Sequence, residues 1–220
     1  ELTLFYLNFA GRDRETAATV GEHWFDTSFE KDSSEGKAIF QHHISQRFGS
    51  VIFITSTICR TDLAQLALRK WPESVDNWGG FAYWTGFCAA CGSVLVTKEN
   101  YVECTMGESY WQKDPKALFR IRHQDIPEVY VKLQEIGYSR KFCSRRIVGI
   151  LKNELMGDTV KEDMLLYLKS FTSWPFWTLG IMSSFMALVV KSVFGLNASE
   201  SEEVGMGVEI AEASMPRSSN

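Results

Sequence analysis

GFAYWTGFCAACGSVLVT, Gly80 to Thr97, decides the fold class of this chain. From Phe81 to Ala90 the run carries no charge and mixes aromatic with small side chains, which suits a helix buried on every side. Gly92 punctuates it. SVLVT, Ser93 to Thr97, is then rich in β-branched residues and reads as a buried strand. A buried helix that passes directly into a buried strand is the texture of an α/β domain.

Working outward, LTLFYLNF (Leu2 to Phe9) reads as another buried strand, bounded by Gly11. Arg12 to Gly36 is polar and predicts a loop with a short helix. Lys37 to Phe48 is helical in texture. After Gly49, SVIFITSTI predicts a third buried strand, and Asp62 is placed to cap a helix from Leu63 to Trp71 that stops before Pro72. Tyr101 to Thr105 predicts a short extended piece. Beyond it the pattern turns helical. Asp114-Pro115 and Asp125-Ile126-Pro127 both signal helix starts, the second running to about Gly137, and Ser139 opens a third helix. Glu162 to Lys169 predicts a fourth. The expected architecture is α/β: a partial mixed sheet with flanking helices, then a helical C-terminal part. The boundaries expected are 1–168 for the folded part, 169–195 for a membrane-seeking helical segment and 196–220 for a disordered acidic tail.

The chain has 220 residues, 45% of them apolar and 13% aromatic, ample for a packed core. Its net charge of -4 and the lack of any basic stripe argue against nucleic acid as a partner. The first residue is Glu1 inside an apolar run with no basic leader, so the sequence is expected to begin inside a longer protein. Five cysteines, an odd number set in apolar runs, predict reduced, buried thiols rather than a disulfide framework. Cys88-Ala-Ala-Cys91 has the spacing of half a zinc site, with Cys104 as a third ligand. No second CxxC follows, and cysteine in such a setting is a small hydrophobe.

Three features of the Gly49 to Trp111 block carry chemistry. The apolar VIFIT run ends in the hydroxyls of Thr55, Ser56 and Thr57. Asp76-Asn77-Trp78 lies in a Gly- and aromatic-rich setting. SVLVT leads on to Glu103 and to GESYW, with Tyr110 and Trp111. Indole and phenol faces stack on the C–H surfaces of sugars, while carboxylates and amides take their hydroxyls, so this combination suits a carbohydrate pocket. The alternative is that the aromatic residues simply pack a core and Asp76 caps a helix.

RFGSVIFITSTICR (Arg47 to Arg60), NWGGFAYWTGF (Asn77 to Phe87), GESYW (Gly107 to Trp111) and ALFRIRH (Ala117 to His123) together resemble the acceptor-side half of a family 2 glycosyltransferase. The group in question is the abequosyltransferase-like enzymes of surface-polysaccharide synthesis, and the resemblance runs from about Leu2 to Arg146. It implies transfer of a sugar from a nucleotide-sugar donor to a glycan or lipid-linked acceptor. It also implies that the donor-binding half, with the paired aspartates that hold Mg or Mn, lies outside this chain. Asp13 and Asp26 do not follow an apolar strand as that pair does. The family's general base is a carboxylate at the acceptor site. Asp76 is the position implied here, ahead of Glu73 and Glu103. Ser56, Thr57, Asn77, Trp78, Tyr110 and Trp111 are implied to bind acceptor, with Arg120 and Arg122, beside His123, against a diphosphate or lipid phosphate.

Ser170 to Val190 is 21 residues without a charge. At about 1.5 Å per residue a helix of that length reaches across a ~30 Å hydrocarbon core. Trp174 and Trp177 cluster at one end, and Arg140, Lys141, Arg145 and Arg146 lie upstream. Three readings stand: a helix lying in the membrane interface, a single span, or an internal helix. Either membrane reading places the folded part at the cytoplasmic face of the cell membrane. The rival function from another class is a non-catalytic membrane-anchored interaction module.

Overall fold

The computed structural model describes residues 1–26, 35–106 and 114–156, together with 177, 179, 181–183 and 186–187. The fold is mixed α/β, a partial mixed sheet flanked by helices. Strand β1 (Leu2–Asp13) lies inside the sheet. One of its edges pairs along its whole length with β4 (Ser93–Met106), in parallel, from Leu2↔Ser93 to Asp13↔Met106. Its other edge is shared by two short antiparallel strands. β3 (Thr57–Cys59) lies opposite Leu4 to Tyr6, and β2 (Thr19–Gly21) opposite Gly11 and Arg12.

Parallel neighbours need a long crossover between them. Here it carries α1 (Gly36–Gln46), α2 (Phe48–Val51), α3 (Thr61–Lys70) and α4 (Gly80–Cys91). Helix α4 is the hub, touching α1, α3 and β1. That is why its sequence is apolar all round. Glycines set how closely it is approached. A Cβ on Gly36 would lie 2.1 Å from the Gly92 carbonyl oxygen and 2.4 Å from that of Ala89, so α1 begins in backbone contact with the end of α4.

The C-terminal helices follow without a break. Helix α5 (Pro115–Arg120) passes through a π turn, Ile121–Asp125, into α6 (Ile126–Glu135). Pro127 has no N–H to return to the preceding turn, and a single wide turn bridges that gap. A Cβ on Gly86 would meet Leu133 of α6 at 2.6 Å, so the two helices interlock there. Helix α6 closes at Gly137, whose φ of +90° lets Gly137 N donate to Gln134 O (3.0 Å) and Tyr138 N to Leu133 O (3.1 Å). Helix α7 is Arg140–Met156.

Several expectations change. SVIFITSTI is not one strand. It forms α2, a 3₁₀ turn (Ile54–Ser56) and only then the three residues of β3. Its own hydroxyls decide this. Ser50 Oγ donates to Arg47 O (2.8 Å) and Ser56 Oγ to Phe53 O (2.8 Å), bonds three residues back that hold turns and compete with a ladder. Asp62 does not cap α3. It lies within the first turn and binds Arg60 Nη2 at 2.6 Å, while Arg60 occupies the capping position. The start expected at Asp125-Ile126-Pro127 is that of α6, although the π turn joins it to α5 without a break. Ser93 to Thr97 and Tyr101 to Thr105 are one strand, interrupted where residues 97–99 of β4 bulge past Leu7.

Asn8 fills that bulge. It is fully buried. Its backbone N–H donates to Thr97 Oγ1 (2.7 Å), and its Nδ2 to the carbonyls of Phe25 (3.0 Å) and Thr97 (3.3 Å). Its Oδ1 accepts from the N–H groups of Phe9, Trp24 and Phe25. Around this junction Phe9, Trp24, Phe25, Phe53 and Tyr6 stack, with His43 edge-on to Phe25.

The expected helix at Glu162 to Lys169, the tail 196–220 and most of Ser170 to Val190 lie outside the described residues. Of that last run, Ile181 is buried in the main core and Trp177 packs on it, while Leu179, Met182 and Met186 are exposed. Among the described residues no helix is long and apolar enough to cross a membrane.

Candidate functional site

The turn between the 3₁₀ segment Pro72–Val75 and α4 is clasped to the π turn and the start of α6. Its sequence is Asp76-Asn77-Trp78-Gly79. Asn77 is buried, and its Nδ2 donates to Asp125 O (3.1 Å) and to Glu128 Oε2 (3.0 Å). Its Oδ1 accepts from Gly79 N at 2.8 Å and so shapes the turn itself. Trp78 N donates to Asp125 Oδ2 (3.3 Å). Arg120 straddles both parts: Nε to Asp125 Oδ1 (3.3 Å) and Nη2 to Asp76 O (2.8 Å). The Trp78 indole is half-buried and stacks on Phe48 with ring centroids 6.2 Å apart.

The Asn77 amide thus bridges the Asp125 backbone carbonyl and the Glu128 carboxylate, while the Asp125 carboxylate is held alongside by Trp78 N–H and Arg120. Burial pushes the Asp125 carboxyl up, against the pull of Arg120 and the Trp78 N–H. Burial likewise raises Glu128, opposed by the amide of Asn77. The two differ in access. Asp125 is buried with both oxygens engaged, whereas Glu128 is half-buried and accepts from Asn77 through Oε2. A half-buried carboxyl held above its ordinary value is a stronger base than a free one and is suited to taking a proton from a hydroxyl.

The residues singled out in the sequence divide into groups. Asp76, Asn77, Trp78 and Arg120 come together in the clasp, with the Asp76 side chain exposed. Arg122 is half-buried on the π turn. His123 is buried against Phe119 at 4.3 Å and does not offer its ring to a surface ligand. Ser56 and Thr57 stand apart from the clasp, both hydroxyls donating to Phe53 O. Glu103 is on β4, paired with Arg12 at 2.7 Å across the sheet. It lines a polar cavity of about 410 Å³ with Arg12, Thr19, His23, Asn100 and Tyr101. Tyr110 and Trp111 lie outside the described residues.

Asp125 and Glu128 went unnoticed as site residues because Asp125-Ile126-Pro127 reads locally as a helix start. The available signal was two carboxylates within DIPEVYV, an otherwise apolar run. Neither Asp13 nor Asp26 fits a metal bridging a diphosphate. Asp13 Oδ1 accepts from Thr16 N and Thr16 Oγ1, both at 2.8 Å, and those bonds hold its carboxyl below the ordinary value. Asp26 Oδ2 is 3.0 Å from His42 Nε2. Among the described residues no cluster of three or more His, Cys, Asp or Glu is arranged to hold a metal ion. Comparison with known protein families, with curated proteins and with solved structures finds no match for this chain.

Proposed function

We propose that this chain is the acceptor-side part of an enzyme that transfers a sugar from a nucleotide donor to a glycan or lipid-linked acceptor. The observation that carries the reading is the clasp. A half-exposed indole, an amide, a guanidinium and a poised carboxyl meet on one turn, the combination that a hydroxyl-rich ring requires. In this reading Trp78 stacks on the acceptor ring, and Arg120 lies beside the developing negative charge. One carboxylate takes the proton of the attacking hydroxyl. Glu128 fits that task by its raised carboxyl; Asp76 fits by its exposure. In this reading the sugar nucleotide, with any Mg or Mn, would be held by a donor-binding half outside this chain.

A second reading has one observation in its favour. Both oxygens of Asp125 are consumed in holding the turn, as in a purely structural joint. The chain is then a non-catalytic interaction module. The full-length protein, incubated with a panel of radiolabelled nucleotide sugars and a membrane lipid extract, separates the two. Transfer that falls ~10²–10⁴-fold in Glu128→Gln or Asp76→Asn identifies the base. No transfer from any donor supports the module.

Membrane attachment through 169–195 belongs to the same proposal. Release of the full-length protein from membranes by high salt means surface charge dominates. Release only by alkaline carbonate means interfacial insertion, and resistance to both means a span. A protein that is soluble at low salt removes the lipid-linked acceptor.

A further inference from the structure

Where β1, β2 and β4 run side by side, the sheet carries a polar cavity of about 410 Å³. Ala10 lines it as the register partner of Glu103, and its single methyl leaves a recess there. Arg12 reaches to both sides, donating from Nη2 to Glu103 Oε1 (2.7 Å) and from Nη1 to Thr19 Oγ1 (2.6 Å). Its Nε also goes to Glu103 Oε1 (3.1 Å), so Oε2 is left for another donor. His23 is fixed by a chain of hydrogen bonds. The Glu22 carbonyl can only accept, so Asn100 turns Nδ2 to it and Oδ1 to His23 Nδ1, 3.2 Å away. His23 Nδ1 must therefore donate, and the neutral ring carries its lone pair on Nε2. Glu22 itself and Tyr101, 63% exposed, complete the lining.

What this lining still offers is mainly acceptors, namely Glu103 Oε2, the Glu22 carboxylate and His23 Nε2, beside an aromatic ring. Two carboxylates against one guanidinium disfavour an anion. A metal ion needs several ligand atoms drawn in to about 2 Å, and among the described residues no three His, Cys, Asp or Glu side chains are so arranged. An ammonium group carries three donors and no acceptor, and it takes its partners at the longer hydrogen-bond distance of about 2.7–3.2 Å. The face of a tyrosine attracts the same charge. We propose that this cavity binds the ammonium group of a small organic amine, with Glu103, Glu22 and His23 as its acceptors and Tyr101 against its carbon chain. A hydroxyl in the same place fits less well, because it brings one donor instead of three and no charge. The cavity is built from other elements than the clasp, and the proposal does not depend on sugar transfer.

Calorimetric titration of the full chain with putrescine tests this, against butanediol, which carries hydroxyls on the same carbon chain. The expected result is saturable binding of one putrescine per chain, in the millimolar range or tighter, weakened by added salt, with no binding of butanediol. Glu103→Gln should weaken putrescine about fivefold or more and Tyr101→Ala about threefold, with both variants melting as the unaltered protein does. No saturable binding of putrescine, or butanediol bound as tightly, overturns the proposal. So does stoichiometric binding of Mn²⁺ that Glu103→Gln abolishes, which would make the cavity a metal site. Tighter capture of a Gly-Lys-Gly peptide than of putrescine would make a protein lysine the source of the ammonium and overturns the free amine. The comparison of amine with diol uses the unaltered protein, so a variant that fails to fold does not leave the matter open.

Discussion

Two buried asparagines organise this molecule, and their surroundings differ in kind. Asn8 holds the bulge between β1 and β4, and all its partners are neutral: five backbone groups and one hydroxyl. Asn77 holds the clasp, and its partners include a carboxylate, with a second carboxylate and a guanidinium next to it. A neutral network closed off from water has no proton or charge to offer, and its effect is to fix one geometry. A charged network at half depth retains groups that titrate. The first is scaffold; the second is where chemistry is worth seeking.

The largest expected effect breaks the scaffold. Asn8→Ala leaves two carbonyls and three N–H groups facing a cavity. At about 1 kcal/mol per bond, plus the penalty for stranded groups, the loss is roughly 3–5 kcal/mol in urea denaturation. A loss under about 1 kcal/mol would mean that water replaces the side chain and that the contrast drawn here is false.

Acid distinguishes the regions next. His43, beside Asn8's aromatic cluster, and His123, on the π turn, are both held neutral. Burial takes each from 6.5 down to about 4, helped by His42 and opposed by Asp26 for the first, and helped by Arg122 for the second. The unfolded chain binds those protons at 6.5, so the stability is fully present above that pH and drains away as pH falls toward 4. The loss is roughly 3 kcal/mol per histidine. In the clasp the raised carboxyls of Asp125 and Glu128 work in the opposite sense, because they favour the protonated form and are penalised as pH rises. Denaturation at pH 7, 5.5 and 4.5 should therefore show His43→Gln removing about half of the acid sensitivity.

Asn77→Ala should cost less than Asn8→Ala, about 1–2 kcal/mol, because water can reach the half-exposed Glu128 that it abandons. Equal losses at the two sites, measured in the same denaturation experiment, would make the clasp as much scaffold as the junction. The smallest effect concerns Trp78. With the acceptor reading in force, Trp78→Ala raises the acceptor KM about tenfold with kcat retained, the pattern of lost uniform binding.

The same contrast explains what could be read from the sequence. Helix α4, most of β1 and the first part of β4 were legible because each is an apolar run beside Gly, whereas Lys98, Glu99 and Asn100 hid the continuity of β4. Local chemistry overruled the pattern at SVIFITSTI, where Ser50 and Ser56 fold back on their own carbonyls. The loop residues Asp76, Asn77 and Trp78 and the helical Arg120 were visible as chemistry, although nothing in the sequence showed that they meet. Their partners Asp125 and Glu128, 48 and 51 residues from Asn77, belong to a contact that exists only after folding. Asn8 was overlooked although a lone amide in LFYLNFAG is a signal of its own.

The parallel pairing of β1 with β4 bears on the order in which the chain assembles. Thr3 and Ser93, hydrogen-bonded to each other, are 90 residues apart in sequence. On a ribosome β1 emerges first, yet its long edge stays open until residues up to Met106 have followed. Contacts so distant are slow to form, and an unpaired apolar strand is the surface on which chains aggregate. The helical crossover built around α4 can form meanwhile from nearer contacts. Refolding at high concentration should therefore fail at β1, by strands of different molecules pairing in place of β4.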